Sequence, residues 1–347
     1  LVTAGMSQIA LAGDSVYVNT SSLRYRTSAQ IKDNNIAGNL SYGQKLERVG
    51  TSGQWTMILL NGKKYYVSSA YVTSKNPASA GAVQTTSQTA AGAQTSGGTA
   101  IALSSNYKYA NYSKINSGTA TLYRSTASNK KNKVVCVNAG HGTNGGGSVK
   151  TQCHPDGSAK VTGGTTGAGA TSAVAVSSGM TFADGTAESK VTLAMAKVLK
   201  TKLLNAGYDV LMIRESDDVQ LDNIARTVIA NNNADCHIAL HWDSTSSNKG
   251  AFFMSVPSNA TYRAMEPVAS HWKQHNQLGE SLISGLKSAG VKIYSKGSME
   301  MDLTQTSYST IPSVDIELGD KASDHSGATL ETLANGLLTG VNTFFGQ

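Results

Sequence analysis

Apolar and polar positions follow two different rhythms along this 347-residue chain. In the first part, short runs rich in β-branched and aromatic residues, at 15–19, 22–25, 44–49, 55–60 and 64–67, are separated by turn residues and read as strands. Asn61-Gly62 between two apolar runs predicts a two-residue hairpin. Asn34-Asn35 and Gly50-Thr51-Ser52-Gly53 mark further turns. From residue 133 the rhythm changes, and strands alternate with helices. Strands are predicted at 134–138, 209–213, 237–240, 252–256 and 314–317, and helices at 188–205, 223–230, 279–289 and 327–344. In the first helix Val191, Met195, Val198 and Leu199 recur at helical spacing, and Ala206-Gly207 stops it.

Between the two rhythms, residues 77–100 are almost wholly Ala, Gly, Ser, Thr and Gln and carry too little apolar surface to build a core. The expected organisation is an N-terminal extension or signal remnant (1–13), a small all-β barrel (14–75), a flexible linker (76–131) and a larger domain (132–347). Residues 119–123 are a candidate strand added to that domain. Alternating elements of this kind imply an α/β fold, an open twisted sheet with helices on both faces. In such sheets chemistry gathers beyond the carboxyl ends of the strands.

Charged residues make up only 15% of the chain, and the net charge is +7. A basic balance favours anionic partners. Lys130-Lys131-Asn132-Lys133 is short and lacks interleaved aromatics, so a nucleic-acid partner is not expected. No stretch is long and apolar enough to span a bilayer. Ala10-Leu11-Ala12 before Gly13 has the small-x-small form of a signal-peptidase site, which favours export. The three cysteines cannot all pair and lack metal-site spacing. Cys136 and Cys236 read as apolar strand residues, and Cys153 lies in a loop beside His154.

The most informative residue is His141, in Val-Val-Cys-Val-Asn-Ala-Gly-His-Gly at 134–142. The run places an imidazole at the carboxyl end of a buried strand, with no side chain on either neighbour to block a ligand. Glu188 stands in the first turn of a helix, where it also suits the helix dipole, and His241 ends the strand Ile238-Ala239-Leu240. Two imidazoles and a carboxylate suit zinc and leave a position open for water. Glu317 ends the apolar strand of Pro312-Ser313-Val314-Asp315-Ile316-Glu317, where a buried carboxylate needs a partner. That partner is either the water of a metal site or, for Glu317 and the alternating Asp315, a salt bridge. His237 reads as structural. His271 and His275, one helical turn apart, are a second possible pair on a solvated helix or cleft rim.

Taken in order, these pieces carry a resemblance. The strand–Gly-His-Gly, the Glu at a helix start, Ala-Asp-x-x-Ile-x-x-His and Pro-x-Val-x-x-Glu-x-Gly resemble the zinc-dependent N-acetylmuramoyl-L-alanine amidases of the amidase_3 type, over roughly 133–345. Arg214 and the 226–231 stretch fit the family's Thr-Arg and Arg-x-x-x-Ala-Asn elements. The resemblance implies zinc bound by His141, Glu188 and His241, with Glu317 as catalytic acid/base. It further implies hydrolysis of the amide between N-acetylmuramic acid and the L-alanine of the peptidoglycan stem peptide. The chain departs from the pattern at Asn138-Ala139, Trp242-Asp243 and Asp320, and in a long Gly/Thr/Ser-rich interval at 143–185. Trp242 and Asp243 are expected to reshape the cleft, and the interval to cover the site or stay mobile.

The N-terminal strands, with Leu23-Arg24-Tyr25-Arg26, Ile36-Ala37-Gly38-Asn39-Leu40, Gly53-Gln54-Trp55-Thr56-Met57-Ile58 and the 64–72 run, resemble the bacterial SH3-like (SH3b) domain. This implies tethering to the cell wall. The expected protein is therefore a secreted, extracellular or wall-associated monomeric autolysin that binds Zn2+ and acts on peptidoglycan. Two alternatives stay open at this stage: a catalytically silent wall-binding protein, and a zinc peptidase of stem peptides.

Overall fold

The computed structural model describes residues 14–19, 22–30, 32–41, 43–74 and 97–347. The expected N-terminal extension and most of the Ala/Gly/Ser/Thr run lie outside the described residues. Those that are described form two compact units, one within Leu1–Thr89 and one within Ala90–Gln347.

The first unit is an all-antiparallel sheet of β1 (Asp14–Val18), β2 (Ser22–Arg26), β3 (Ile36–Ser41), β4 (Lys45–Ser52), β5 (Trp55–Leu60), β6 (Lys63–Ser68) and β7 (Val72–Thr73). Spatial order is β3-β2-β6-β5-β4-β1-β7. Alternate positions turn Val16, Val18, Leu23, Leu40, Leu46, Ile58 and Val67 into one small core. The Asn61-Gly62 turn joins β5 to β6 with Leu60 opposite Lys63. Both residues take positive φ, 50° and 77°, the combination that matches the strand twist and that Asn-Gly favours.

The second unit is built on an eight-stranded mixed sheet. It contains β8 (Thr99–Ala102), β9 (Thr119–Tyr123), β10 (Val134–Ala139), β13 (Asp209–Met212), β14 (Cys236–Asp243), β15 (Ala251–Ser255), β16 (Ile293–Glu300) and β17 (Ser313–Asp320). The two short strands β11 (Lys150–Gln152) and β12 (Ser172–Val174) form a separate hairpin. Sheet order is β16-β15-β17-β14-β10-β13-β9-β8. The central four, β13, β10, β14 and β17, run parallel. β9 and β8 extend one side antiparallel, and β15 pairs antiparallel with β17 on the other. The folded unit thus begins well before residue 132. The C-terminal part of the expected linker supplies two strands, among them the one anticipated at 119–123.

Helices cover both faces. On one, α1 (Glu188–Asn205), α4 (Val268–Ser288) and α6 (Gly327–Phe345) bury Leu199, Leu203, Leu282, Leu286, Leu333 and Leu337 against Val135, Val137, Ile238 and Ile316. On the other, α2 (Asn223–Asn233) sets Ala225 and Ile229 on Cys136 and Leu211. Short α3 (Ala260–Ala264) and α5 (Thr304–Tyr308) complete the fold, with Tyr308 packed on α2 through Ile224 and Val228. The pleat explains the split, since Val135 and Val137 face one way and Cys136 the other. Cys136, Cys153 and Cys236 are free and buried, as small apolar side chains. α4 begins earlier than its apolar pattern suggests, so His275 is buried rather than solvated, and its Nδ1 accepts the Ser313 N–H at 3.0 Å.

α4 and α6 approach so closely that glycine is required at the crossing. A Cβ on Gly340 would stand 2.5 Å from the Leu282 Cα and 2.7 Å from the Ser281 carbonyl oxygen, both backbone atoms that cannot step aside. Gly340→Ala is expected to cost about 1–3 kcal/mol by forcing the helices apart. Gly327→Ala, where an added Cβ meets nothing within 4 Å, should not destabilise. Thermal melts of the two variants beside the parent check this.

Candidate metal centre

The Gly-His-Gly turn lies where β10 ends, and its shape is fixed from behind. His141 takes a left-handed backbone, φ 63°, which a non-glycine residue adopts at a cost of about 1–2 kcal/mol. Two buried arginines hold it there. Arg214 donates from Nε to the Ala139 carbonyl at 3.0 Å and from Nη2 to the Gly140 carbonyl at 2.8 Å. Arg226 donates from Nη2 to the His141 carbonyl at 2.7 Å and from Nη1 to Asn138 Oδ1 at 3.1 Å. The flanking glycines are needed for close approach. A Cβ on Gly140 would fall 2.2 Å from the His241 ring, and one on Gly142 would fall 2.6 Å from the Arg214 guanidinium. The neighbouring space is thus filled by protein groups that orient the turn, beyond merely being clear for a ligand.

Three donor atoms converge in front of the turn. His141 Nε2 lies 2.9 Å from Glu188 Oε1, His241 Nδ1 lies 3.2 Å from the same oxygen, and the two ring nitrogens are 3.0 Å apart. Among the described residues these three side chains form the group able to hold a metal ion. Two of them are anchored outside the cluster. His141 Nδ1 faces the Ser177 carbonyl at 2.9 Å; a carbonyl only accepts, so Nδ1 carries a proton, and Nε2 is the nitrogen left to offer a lone pair to a cation. Glu188 Oε2 accepts the Met180 N–H at 2.8 Å, and Oε1 accepts the Trp242 N–H at 3.0 Å. β10 and β14 run side by side, and α1 begins beside them, so residues 47 and 53 positions apart meet.

The chemistry of this donor set demands positive charge. A carboxylate oxygen and two imidazole lone pairs at these distances repel one another unless a cation or protons stand among them. Burial opposes a charge on His241, but Asp315 and Glu188 outweigh it and push the imidazole up to about 10. Burial likewise opposes ionisation of Glu188, yet the hydrogen bonds from His141 and His241 hold its carboxyl well below the ordinary range. Zinc fits the set, with its preference for imidazole nitrogen and carboxylate oxygen.

Glu317 and Asp315 reach the same place from β17. β14 and β17 are parallel with His241 opposite Glu317 and Ala239 opposite Asp315, so the pleat turns both acids toward the donor cluster. Glu317 is 9% exposed, and its Oε2 is buried without a hydrogen-bond partner. Burial, reinforced by the charge of Asp315, pushes the Glu317 carboxyl well up, which favours holding a proton near neutral pH. The cluster and both acids line a cleft of about 520 Å³, flanked by Met254, Met301 and Leu303 and by residues 164–166 and 176–180.

The long interval at 143–185 is therefore a wall of this cleft, and it is built around Asp302. That fully buried carboxylate accepts the Val161 N–H at 2.8 Å, the Thr162 N–H at 3.0 Å and Lys160 Nζ at 3.1 Å, and contacts His154 Nε2 at 3.0 Å. His154 is thereby a loop anchor. No spacing in the sequence announces Asp302, because its partners lie 140 to 148 residues away. The expected effect of Trp242 also changes. Its side chain is buried on the opposite face, against Phe182 with ring centroids 5.9 Å apart, so it reaches the cleft through its backbone N–H. Asp320 is buried as well and gathers Lys249 N at 3.2 Å and Ala322 N at 3.0 Å, which braces the loop after β14.

An open cleft at the carboxyl ends of parallel strands, with three metal-type donors and a protonatable acid, is the site of a hydrolase. The chain matches the family model described as N-acetylmuramoyl-L-alanine amidase over residues 135–334, more than half its length, and belongs to that family. It is a peptidoglycan hydrolase of this class, acting on the bond between N-acetylmuramic acid and L-alanine. Among solved structures, it is similar to the N-acetylmuramyl-L-alanine amidase of Mycobacterium smegmatis at 18% identity and TM-score 0.51, covering 63% of this chain and 99% of that one. It is also similar to the apo amidase of Mycobacterium abscessus at 19% identity and TM-score 0.48, covering 61% and 98%. At such identities the first of these shows the shared fold. The search of curated proteins found no match.

Asp302 gives the site's wall a pH signature. Burial opposes its charge, but contacts from His154, Thr162, Val161 and Lys160 hold its carboxyl well below the ordinary range. A depressed carboxyl contributes in full above the unfolded value of about 3.9, and the contribution is lost as pH falls below it. Asp302→Ala leaves buried Lys160 with the residue 302 backbone carbonyl but without its charged partner, and is expected to cost about 3–5 kcal/mol. Chemical denaturation at pH 7 and pH 3 checks both points: the gap between parent and variant should narrow at the lower pH.

Proposed function

We propose that amide hydrolysis runs on a zinc ion held by His141, Glu188 and His241, with Glu317 as the acid/base that serves it. The observation that carries this reading is the convergence of three lone-pair donors beside a buried acid whose Oε2 has no other partner. With two neutral imidazoles and one carboxylate, the loaded site has net charge +1. Bound there, zinc supplies Lewis acidity, making water acidic near neutral pH and polarising the scissile carbonyl.

The remaining work falls to the chain. Glu188 and His141 are held from outside the cluster, so their lone pairs are aimed before any substrate arrives. Glu317 takes a proton from the attacking water as the carbon–oxygen bond forms. It returns that proton to the alanine nitrogen as the carbon–nitrogen bond breaks, leaving a muramoyl carboxylate and a free amino terminus. Arg214 and Arg226 act by holding the turn.

The N-terminal unit is proposed to be an SH3-like module that holds the enzyme to the wall, and the protein to be exported and to act as a monomer. Support comes from the motif resemblance, from the antiparallel sheet of that unit and from the extracytoplasmic nature of the substrate. Deleting residues 1–75 should weaken co-sedimentation with walls more than it slows cleavage of a small soluble muropeptide. Equal losses in the two assays would sink the tether.

Glu317→Gln should keep zinc in elemental analysis while turnover falls about 10²–10⁴-fold, the usual worth of a positioned acid/base. His141→Ala should lose the metal itself. Mass spectrometry of fragments released from purified peptidoglycan should show new L-alanine amino termini without new reducing sugars. Cleavage between two amino acids would instead indicate a stem-peptide peptidase, and walls bound but uncut a silent binding protein.

A further inference from the structure

His241 has two ring nitrogens, and the reaction as described uses one. Nδ1 turns into the cluster, 3.0 Å from His141 Nε2 and 3.2 Å from Glu188 Oε1. Nε2 points the other way and lies 3.6 Å from Asp315 Oδ2. Among the described residues, the carboxylates in ion-pair contact with His241 are Glu188, on the cluster side, and Asp315, on the far side. Glu317, two residues along the same strand, is not in such contact.

Asp315 is not one of the converging donors. Its side chain is 17% exposed, and its Oδ1 is buried without a hydrogen-bond partner. Burying a carboxylate beside a second acid is costly, so its presence calls for a hydrogen-bond donor. The imidazole of His241 is the group placed to provide one. His141 shows the same design by other means: one nitrogen enters the cluster, and the other is tied to an outside oxygen, the Ser177 carbonyl at 2.9 Å. For His241 Nδ1 to offer a lone pair to a cation, the ring proton must sit on Nε2, and something must accept it there.

We propose that Asp315 is the positioning residue of His241: it holds the Nε2 proton, selects the tautomer that leaves Nδ1 bare, and fixes the ring plane for metal binding. This rests on the zinc reading of the cluster given above. Asp315 touches neither substrate nor metal in this role and acts through the imidazole alone.

The test measures zinc affinity on the full chain by competition with a chromophoric chelator. The parent, Asp315→Asn, Asp315→Ala and His141→Ala are compared, with melting of each metal-free protein alongside. Loss of an outer partner of a metal-bound histidine weakens affinity about 10–100-fold. Asp315→Ala should fall in that range. Asp315→Asn keeps an oxygen acceptor and should fall less. Neither should melt below the metal-free parent, because the carboxylate removed is partly unpaired; a merely structural role would show the reverse. The cobalt-substituted Asp315→Ala protein should also show a shifted visible absorption band, reporting altered ligand geometry. Parental zinc affinity in Asp315→Ala, with His141→Ala losing the metal, would overturn the proposal and leave the zinc site standing. A fall in affinity matched by a lower metal-free melting temperature would also overturn it. Parental affinity in His141→Ala would overturn the zinc reading itself.

Discussion

Two buried guanidinium groups closing the turn after β10 are the constraint on which this site depends. Arg214 and Arg226 between them bind the carbonyls of Ala139, Gly140 and His141. The Ala139 and His141 carbonyls take donors from these guanidinium groups at the end of a buried strand, and Thr192 Oγ1 shares the Gly140 carbonyl at 2.9 Å. Once the turn is held, the position of the imidazole is decided. His241 packs against Gly140, and Glu188 enters from the start of α1. The metal-type cluster is thus an outcome of how a strand end is satisfied, and the arginines matter to chemistry by holding the turn.

The same logic recurs around the cleft. Asp302 gathers the long interval at 143–185 into a wall, and Asp320 braces the loop after β14. Each is a buried carboxylate whose oxygens accept backbone N–H groups. A loop rich in Gly, Ser and Thr has little apolar surface with which to fix itself. A buried acid with several donors supplies a definite shape instead. Asp315 and Glu317 are the contrasting pair. Each keeps one buried oxygen unpartnered, and both face the cluster. Asp302 and Asp320 accept hydrogen bonds on both oxygens, whereas Asp315 and Glu317 each leave one without.

Much of the catalytic unit was legible because its elements are long and regular. Glu188–Asn205 shows helical spacing and a clear stop, and its bounds match the expected 188–205. The parallel strands read as apolar runs ending in a chemically unusual residue, so His141, His241 and Glu317 stood out. Where the reading fell short, contacts were decisive. β16 carries exposed polar positions and a glycine, and it is an edge strand only because β15 lies beside it. β8 falls within a stretch of small polar residues that looked like linker, and its pairing with the anticipated strand β9, itself paired with β13, makes it part of the sheet. Trp242 looked like a cleft residue, and the pleat sends it into the core.

By itself, the sequence determined which residues have the chemistry to hold a cation and move a proton, and on which elements they stand, because donor type and periodicity are local properties. Tertiary structure alone decided that Glu188 meets His141 and His241 across 47 and 53 positions, since only strand pairing and helix packing bring such distant atoms together. It alone decided that Asp302 anchors a wall, that the arginines close a turn, and that Asp315 faces the back of His241. Each of those roles is a relation between partners far apart in the chain, and a one-dimensional pattern carries no distance between them.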